Sequence, residues 1–201
     1  MLNQLRPALV LLVALTAVTG LAYPFAMTGI AGVIFPAKAA GSIVERDGKP
    51  IGSSLIGQSF TSDRYFQGRP SATSAADPAD ATKTVSSPYN AASSSGSNLG
   101  PTSAALAERV KADVEARKSE NPGKPVPVDL VTTSGSGLDP DLSPEAALFQ
   151  VPRVAKARSL PEDRVRDLVG TQVQGRLLGV LGEPRVNVLA LNLALDDLGR
   201  K

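Results

Sequence analysis

The sequence predicts a single N-terminal transmembrane helix followed by a small mixed α+β extracytoplasmic domain. Three observations predict it. No charged side chain lies between Arg6 and Lys38, charge crowds the rest of the 201 residues, and that remainder mixes short alternating runs with capped amphipathic stretches. Residues 1–40 are therefore assigned to a membrane anchor and interfacial segment, and residues 41–201 to the outer domain, with a Ser/Ala/Gly-rich loop at 71–100.

The anchor is strongest from Leu9 to Tyr23, LVLLVALTAVTGLAY, and continues as PFAMTGIAGVIF to Phe35. At about 1.5 Å per residue, such a run covers the roughly 30 Å hydrocarbon layer of a bilayer. Gly20, Pro24, Gly29 and Gly32 are costly in a soluble helix but tolerated in a membrane, where neighbouring groups satisfy freed backbone atoms. The span is expected to end near Pro24 to Met27, leaving the last apolar residues at the interface or against a partner. A cleaved signal peptide competes, since Ala37 and Ala39 suit a cleavage site, but its apolar core is usually only about 7–15 residues. A buried soluble helix fits less well. Arg6 and the α-amino group precede the span, whereas Glu45, Arg46, Asp47 and Lys49 cancel beyond Lys38; this bias places the N-terminus inside and the bulk outside. Thr16, Thr19 and Gly20 form a small-residue strip of the kind that allows close helix packing in lipid, which makes Gly20 a candidate partner contact.

Charge excludes some functions. There are 21 basic and 19 acidic residues, and two of the basic ones, Arg6 and Lys38, flank the apolar run. The outer domain is then formally neutral and supplies no basic field for a nucleic acid. Cysteine and histidine are both absent, which rules out disulfides, thiol chemistry, imidazole bases and imidazole metal ligands in this chain.

The outer domain begins with strand-like pieces. Ser42 to Val44 reads as a strand, Asp47-Gly48 as a turn, and Ile51 to Phe60 as its continuation, so a hairpin beside the membrane is expected. Tyr65 and Phe66 lie between Arg64 and Arg69; the rings either fill core or, with the arginines, form a docking edge. Residues 71–100 cannot bury much apolar surface and should form a long loop, disordered or laid over the domain. Within it Tyr89-Asn90 and SGSNLGP, with Ser97 and Asn98, carry more specific side chains than a linker needs.

Thr102 or Ser103 caps a helix expected to reach about Ser119, with Leu106, Val110 and Val114 in one apolar stripe. Val126, Val128 and Leu130 alternate as a short edge strand. After the turn cluster TTSGSGLDP, Ser143 and Pro144 suit the N-cap and first position of a helix to Arg158, kinked or tightened at Pro152. Ser159 and Glu162 have capping-box spacing for another helix, with Val165, Leu168, Val169 and Val173 buried. Val186 to Leu198 starts strand-like and passes into a terminal helix from about Leu191.

Catalytic motifs are wanting. GTQVQGRLLG lacks the lysine and hydroxyl of a phosphate loop, and SGSGLDP lacks the strand-to-helix context of a dinucleotide site. Asp139 and Asp141 with Ser134 and Ser136 read as a capped turn rather than a weak cation site, and no EF-hand spacing follows. No serine has a base partner placed beside it, so Lys124 and Lys156 remain candidates only in principle.

What stands out is a set of polar phrases in fixed order: GSSLIGQSFTSDRYFQGRPSA from Gly52, YNAASSSGSNLGPT from Tyr89, VPVDLVTTSGSGLDPDLSPEAA from Val126, QVPRVAKAR from Gln150 and LGEPRVNVLALNLALD from Leu181. Together with LRPAL from Leu5 and the single span, they closely resemble the C subunit of the Kdp high-affinity potassium-transporting ATPase, practically end to end. The resemblance implies an inner-membrane complex with a potassium-translocating A subunit, an ATP-hydrolysing B subunit and a small F subunit; ATP, magnesium and potassium are used by that complex, and no cofactor is assigned to this chain. It further implies an assembly and regulatory role, that of a catalytic chaperone raising ATP affinity in the B subunit. Arg64, Tyr65, Phe66, Arg69, Tyr89, Asn90, Ser97 and Asn98 join Gly20 as candidate partner-contacting residues. Ser95-Gly96 stands where family members often have Gly-Gly, and no histidine occurs in Gly170 to Arg176, so family roles at those positions are not carried over.

Overall fold

The computed structural model describes residues 2–199 and divides the chain into two compact units, Met1–Ser53 and Ser54–Lys201. In the first unit, a 3-10 turn at Leu2–Gln4 leads into helix α1 (Leu5–Ala17), a π-helical turn (Val18–Ala22) and helix α2 (Tyr23–Ile34). They form one continuous helix of 30 residues, all exposed or nearly so, long and apolar enough to cross a membrane. The helix itself continues past Pro24 to Met27, the stretch where the membrane span is expected to end. Proline in a helix interior has no N–H to donate and crowds the carbonyl four residues back, here that of Gly20. The wider turn relieves this: the Tyr23 N–H reaches back five residues to the Val18 carbonyl, and the helix runs on to Ile34.

A short helix α3 (Pro36–Ala39) then precedes the expected hairpin, β1 (Ile43–Arg46) with β2 (Lys49–Ser53), antiparallel. Asp47 and Gly48 form its two-residue loop at φ of 53° and 71°, the left-handed pair that a type I′ turn requires. The strand stops at Ser53 rather than reaching Phe60.

The second unit opens with an irregular segment from Ser54 to Ser71, turning at 54–55 and 63–64. The loop at 71–100 contains a small hairpin, β3 (Ser74–Ala76) with β4 (Thr84–Ser86). Helix α4 (Ala104–Arg117) follows, with the Ser103 hydroxyl accepting from the Leu106 N–H; its stripe of Leu106, Val110 and Val114 is only half-buried. Where an edge strand was expected, Val128–Leu130 is a 3-10 turn. Pro125 and Pro127 have no N–H for a ladder, and the Asp129 carboxylate instead accepts from the Ser143 N–H at 2.8 Å.

Helix α5 (Pro144–Arg158), capped by Ser143, continues through Pro152 and is closed by Ser159 in the left-handed conformation. Ser159 therefore ends one helix instead of capping the next; Pro161 starts α6 (Glu162–Gln172) without a side-chain cap. Val165 and Val169 are buried, Leu168 packs at the edge of the core, and Val173 is exposed. Strands β5 (Asp141–Leu142), β6 (Val173–Gln174) and β7 (Arg185–Asn187) make an antiparallel sheet in the order β5-β7-β6. Helix α7 (Val188–Leu198) starts three residues earlier than expected, because Asn187 caps it by accepting from the Ala190 N–H at 3.1 Å. The core lies between α5, α6, α7 and the sheet, around Phe66, Leu142, Val151, Val154, Leu191 and Leu195.

Candidate partner-binding surface

The segment Arg64–Arg69 is a strap without regular secondary structure, so its peptide groups need partners from outside its own chain direction. Two buried carboxamides supply them. Asn192 on α7 accepts from the Phe66 N–H and donates to the Phe66 carbonyl, each at 2.9 Å. Gln150 on α5 does the same for Gln67, at 2.9 and 3.0 Å. Phe66 itself is fully buried. Beside them Arg153 pairs with Glu120 at 2.9 Å and donates to the carbonyls of Asp63 and Tyr65 and to Gln150 Oε1.

Arg158 holds the other flank. Its guanidinium stacks over the Tyr65 ring at 4.7 Å, donates to the Arg64 carbonyl and pairs with Asp196 at 2.7 Å. The Tyr65 hydroxyl donates to Asp196, and the Arg64 guanidinium to the Ala157 carbonyl, both at 3.3 Å. Arg64 remains exposed.

At the far end of the strap, Arg69 pairs with Asp139 at 3.0 Å and donates to the carbonyls of Thr132 and Thr133. The Tyr89 hydroxyl donates to the Arg69 carbonyl at 2.7 Å, and the Tyr89 N–H to Ser71 Oγ at 3.0 Å. Gly57 and Gly68 are needed here, since a Cβ on either would overlap the Tyr89 side chain. Burial pushes the Tyr89 phenol up to about 12, with Asp139 acting in the same direction and Arg69 against it. Asn90 donates to the Ser74 carbonyl at 2.8 Å and accepts from the Ala92 N–H, stitching the long loop down.

The turn Ser134–Pro140 joins these pieces. Ser134 Oγ accepts from the Gly137 N–H, Ser136 Oγ from the Leu138 N–H, and Asp139 from the Asp141 N–H. The Ser136 carbonyl receives the Ser95 N–H at 2.9 Å, while the Leu138 carbonyl receives that of Gly57. Gly96 lies against Gly135, where a Cβ would come within 3.1 Å of its carbonyl oxygen. Ser97 is half-buried and Asn98 exposed, with Asn98 at φ 52°. Among the described residues no three Asp or Glu side chains gather as metal ligands.

The structure thus brings Arg64, Tyr65, Phe66, Arg69, Tyr89 and Asn90 into one stitched region, with Ser97 and Asn98 continuing from its edge. Gly20 belongs to the other unit, in the π-helical turn, with Thr16 Cγ2 the nearest side-chain atom. Sequence reasoning did not single out Gln150 or Asn192. The available signal was a lone carboxamide in each of two otherwise apolar helix faces, where only an internal partner makes burial tolerable.

A family model for KdpC, the C chain of the potassium-transporting ATPase, matches residues 5–197. The chain belongs to the KdpC family. Over 201 residues and the full length of both chains, it is 79% identical to the potassium-transporting ATPase KdpC subunit of Methylorubrum extorquens and 77% identical to that of Methylobacterium nodulans. The corresponding subunit of Bradyrhizobium diazoefficiens is 72% identical, again over the full length. The KdpC match includes the anchor helix and the strap in one alignment, and the single apolar N-terminal helix supports membrane anchoring.

Proposed function

We propose that this chain is the non-catalytic subunit of an ATP-driven high-affinity potassium uptake complex. In this reading it assembles with the potassium-translocating A, ATP-hydrolysing B and small F subunits, and raises the ATP affinity of the B subunit. The observation that carries the reading is the KdpC match along both the apolar helix and the folded unit. The N-terminus lies in the cytoplasm and the folded unit outside, as the basic residue before the span favours. ATP is then across the bilayer, so the effect is conformational coupling: contacts made outside and within the membrane favour one state of the complex and change nucleotide affinity at a distance.

The strap and its neighbours shape the surface for the pore subunit. Arg64 and Asn98 are its exposed contacts, Ser97 lies beside them, and Tyr65, Phe66, Arg69, Tyr89 and Asn90 hold them in place. Gly20 packs against a partner helix. Co-purification from detergent after Gly20→Leu or Asn98→Ala tests the contacts: recovery of the pore subunit should fall while membrane insertion and thermal stability persist. Undiminished recovery would remove those residues from the interface. For the coupling, ATP affinity of the complex is compared with and without the outer unit, alongside cysteine-labelling topology near Lys124. A cytoplasmic Lys124 would overturn the long-range explanation.

A further inference from the structure

Helix α4 turns charge as well as carbon toward the domain. Its half-buried positions are Leu106, Arg109, Val110, Asp113, Val114 and Arg117, so charged side chains at successive i+4 positions share the inward side with the apolar stripe. Of the three charges only Arg117 has a partner among the described residues: one terminal nitrogen reaches Glu120 at 3.1 Å, and Glu120 is shared with Arg153. Asp113 makes neither a hydrogen bond nor an ion pair there, and Arg109 Nε, one turn before it, is buried without an acceptor. Asp113 and Arg117 are spaced to pair across a helical turn. Instead the guanidinium turns to Glu120 and leaves the carboxylate alone.

Both residues border a cleft of about 240 Å³ between α4 and the strap. Phe60 and Tyr89 contribute rings to it, and Gln67 a carboxamide whose one side-chain bond is a 3.5 Å donation to the Thr61 carbonyl. Arg69 also borders the cleft, but its donors are directed to Asp139, Thr132 and Thr133. What remains is one free carboxylate and one half-satisfied guanidinium, about 6 Å apart along the helix axis, beside aromatic carbon.

A partly buried carboxylate without a partner calls for a cation or donor from elsewhere. The volume falls below the roughly 300–1,000 Å³ of drug-sized ligand sites, which restricts the occupant to a small molecule. A simple cation would face Arg117 and a simple anion would face Asp113, so the pair selects a ligand carrying both signs. Aromatic rings next to a carboxylate suit an ammonium that is methylated.

We propose that this cleft binds a small zwitterion, its methylated ammonium set against Asp113 and the rings of Phe60 and Tyr89, and its carboxylate on the free nitrogens of Arg117. The site goes beyond the subunit role and gives the outer unit a ligand of its own.

The test is isothermal titration of glycine betaine into the full-length chain in detergent. Saturable binding is expected, with a Kd of about 1 mM or tighter, whereas choline and acetate, each carrying one charged half, should bind about tenfold more weakly or worse. Asp113→Asn keeps the side-chain shape and should weaken betaine about tenfold while the thermal midpoint holds. Arg117→Lys keeps a charge for Glu120 but loses the paired donors, and affinity should fall there too. Heat that never saturates, or a thermal stabilisation equal in the unaltered chain and in Asp113→Asn, is the behaviour of an excluded solute and would overturn the site. Choline binding as tightly as betaine would remove Arg117 from recognition, and the zwitterion with it.

Discussion

Asn192 closes a two-point hydrogen-bonded ring on the main chain of Phe66, accepting from its N–H and donating to its carbonyl at 2.9 Å in each case. A side chain on α7 thereby acts toward the strap as a neighbouring strand would, across 126 residues of sequence.

Replacing Asn192 by Leu keeps the branching at Cγ but removes both polar atoms and leaves two buried peptide groups unpaired, at about 1–3 kcal/mol each. Chemical denaturation should show a loss of roughly 2–6 kcal/mol. Gln150→Leu should do the same for Gln67, and the double variant should lose less than the sum, because both single changes release one strap. Strict additivity would show that the two clamps act independently.

Gly68→Ala should destabilise the fold by about 1–3 kcal/mol, since the new methyl overlaps the Tyr89 hydroxyl end. Adding Tyr89→Ala removes the obstacle, so the glycine substitution should become nearly neutral in that background. A penalty that persists without the ring would place the conflict elsewhere.

The Tyr89 phenol, ordinarily at 10.0, sits at about 12 in the folded chain. Its stabilising contribution is therefore fully present below pH 10 and is lost as pH rises through about 12. Alkaline titration followed by tyrosinate absorbance should show a late step that Tyr89→Phe abolishes. An unaltered late step in that variant would assign it to another group.

Asp141 behaves in the same sense by a different route. Burial raises its carboxyl above the usual 3.8, outweighing the hydrogen bond from Asn187 and the nearby Arg185. A raised acid stabilises the fold most when protonated, so this contribution is complete below pH 3.8 and disappears as pH rises through the higher folded value. Asp141→Asn should retain the acceptor for Asn187 and flatten this part of the stability profile. A steeper acid dependence in the variant would contradict the sign.

Local chemistry made much of this fold legible. The uncharged run defined the anchor, Asp47-Gly48 the first hairpin, and Ser103 and Ser143 two helix starts, because each signal resides in residues close in sequence. The misreadings arose where two local signals competed. Alternation at Val126–Leu130 suggested a strand, but two missing proline donors prevailed; Ser159 had capping-box spacing, yet its left-handed backbone closed α5. The strap was less accessible. Its candidate residues stood out as polar phrases, but the carboxamides that hold them act over 83 and 126 residues, a relationship no local pattern encodes.

The π-helical turn ahead of Pro24 also changes which side chains of the anchor share a side. An α-helix advances roughly 100° per residue, and a π-turn accommodates one additional residue without the matching rotation. On an uninterrupted helix, Thr28 and Gly32 would lie about 120° and 160° around from Thr16. With one residue absorbed, they fall to about 20° and 60°, beside Thr16 and Gly20. The backbone adjustment forced by one proline thus aligns the small residues of both helical halves into a single strip, roughly 24 Å from Thr16 to Gly32 at about 1.5 Å per residue, of the kind that lets helices pack closely in lipid.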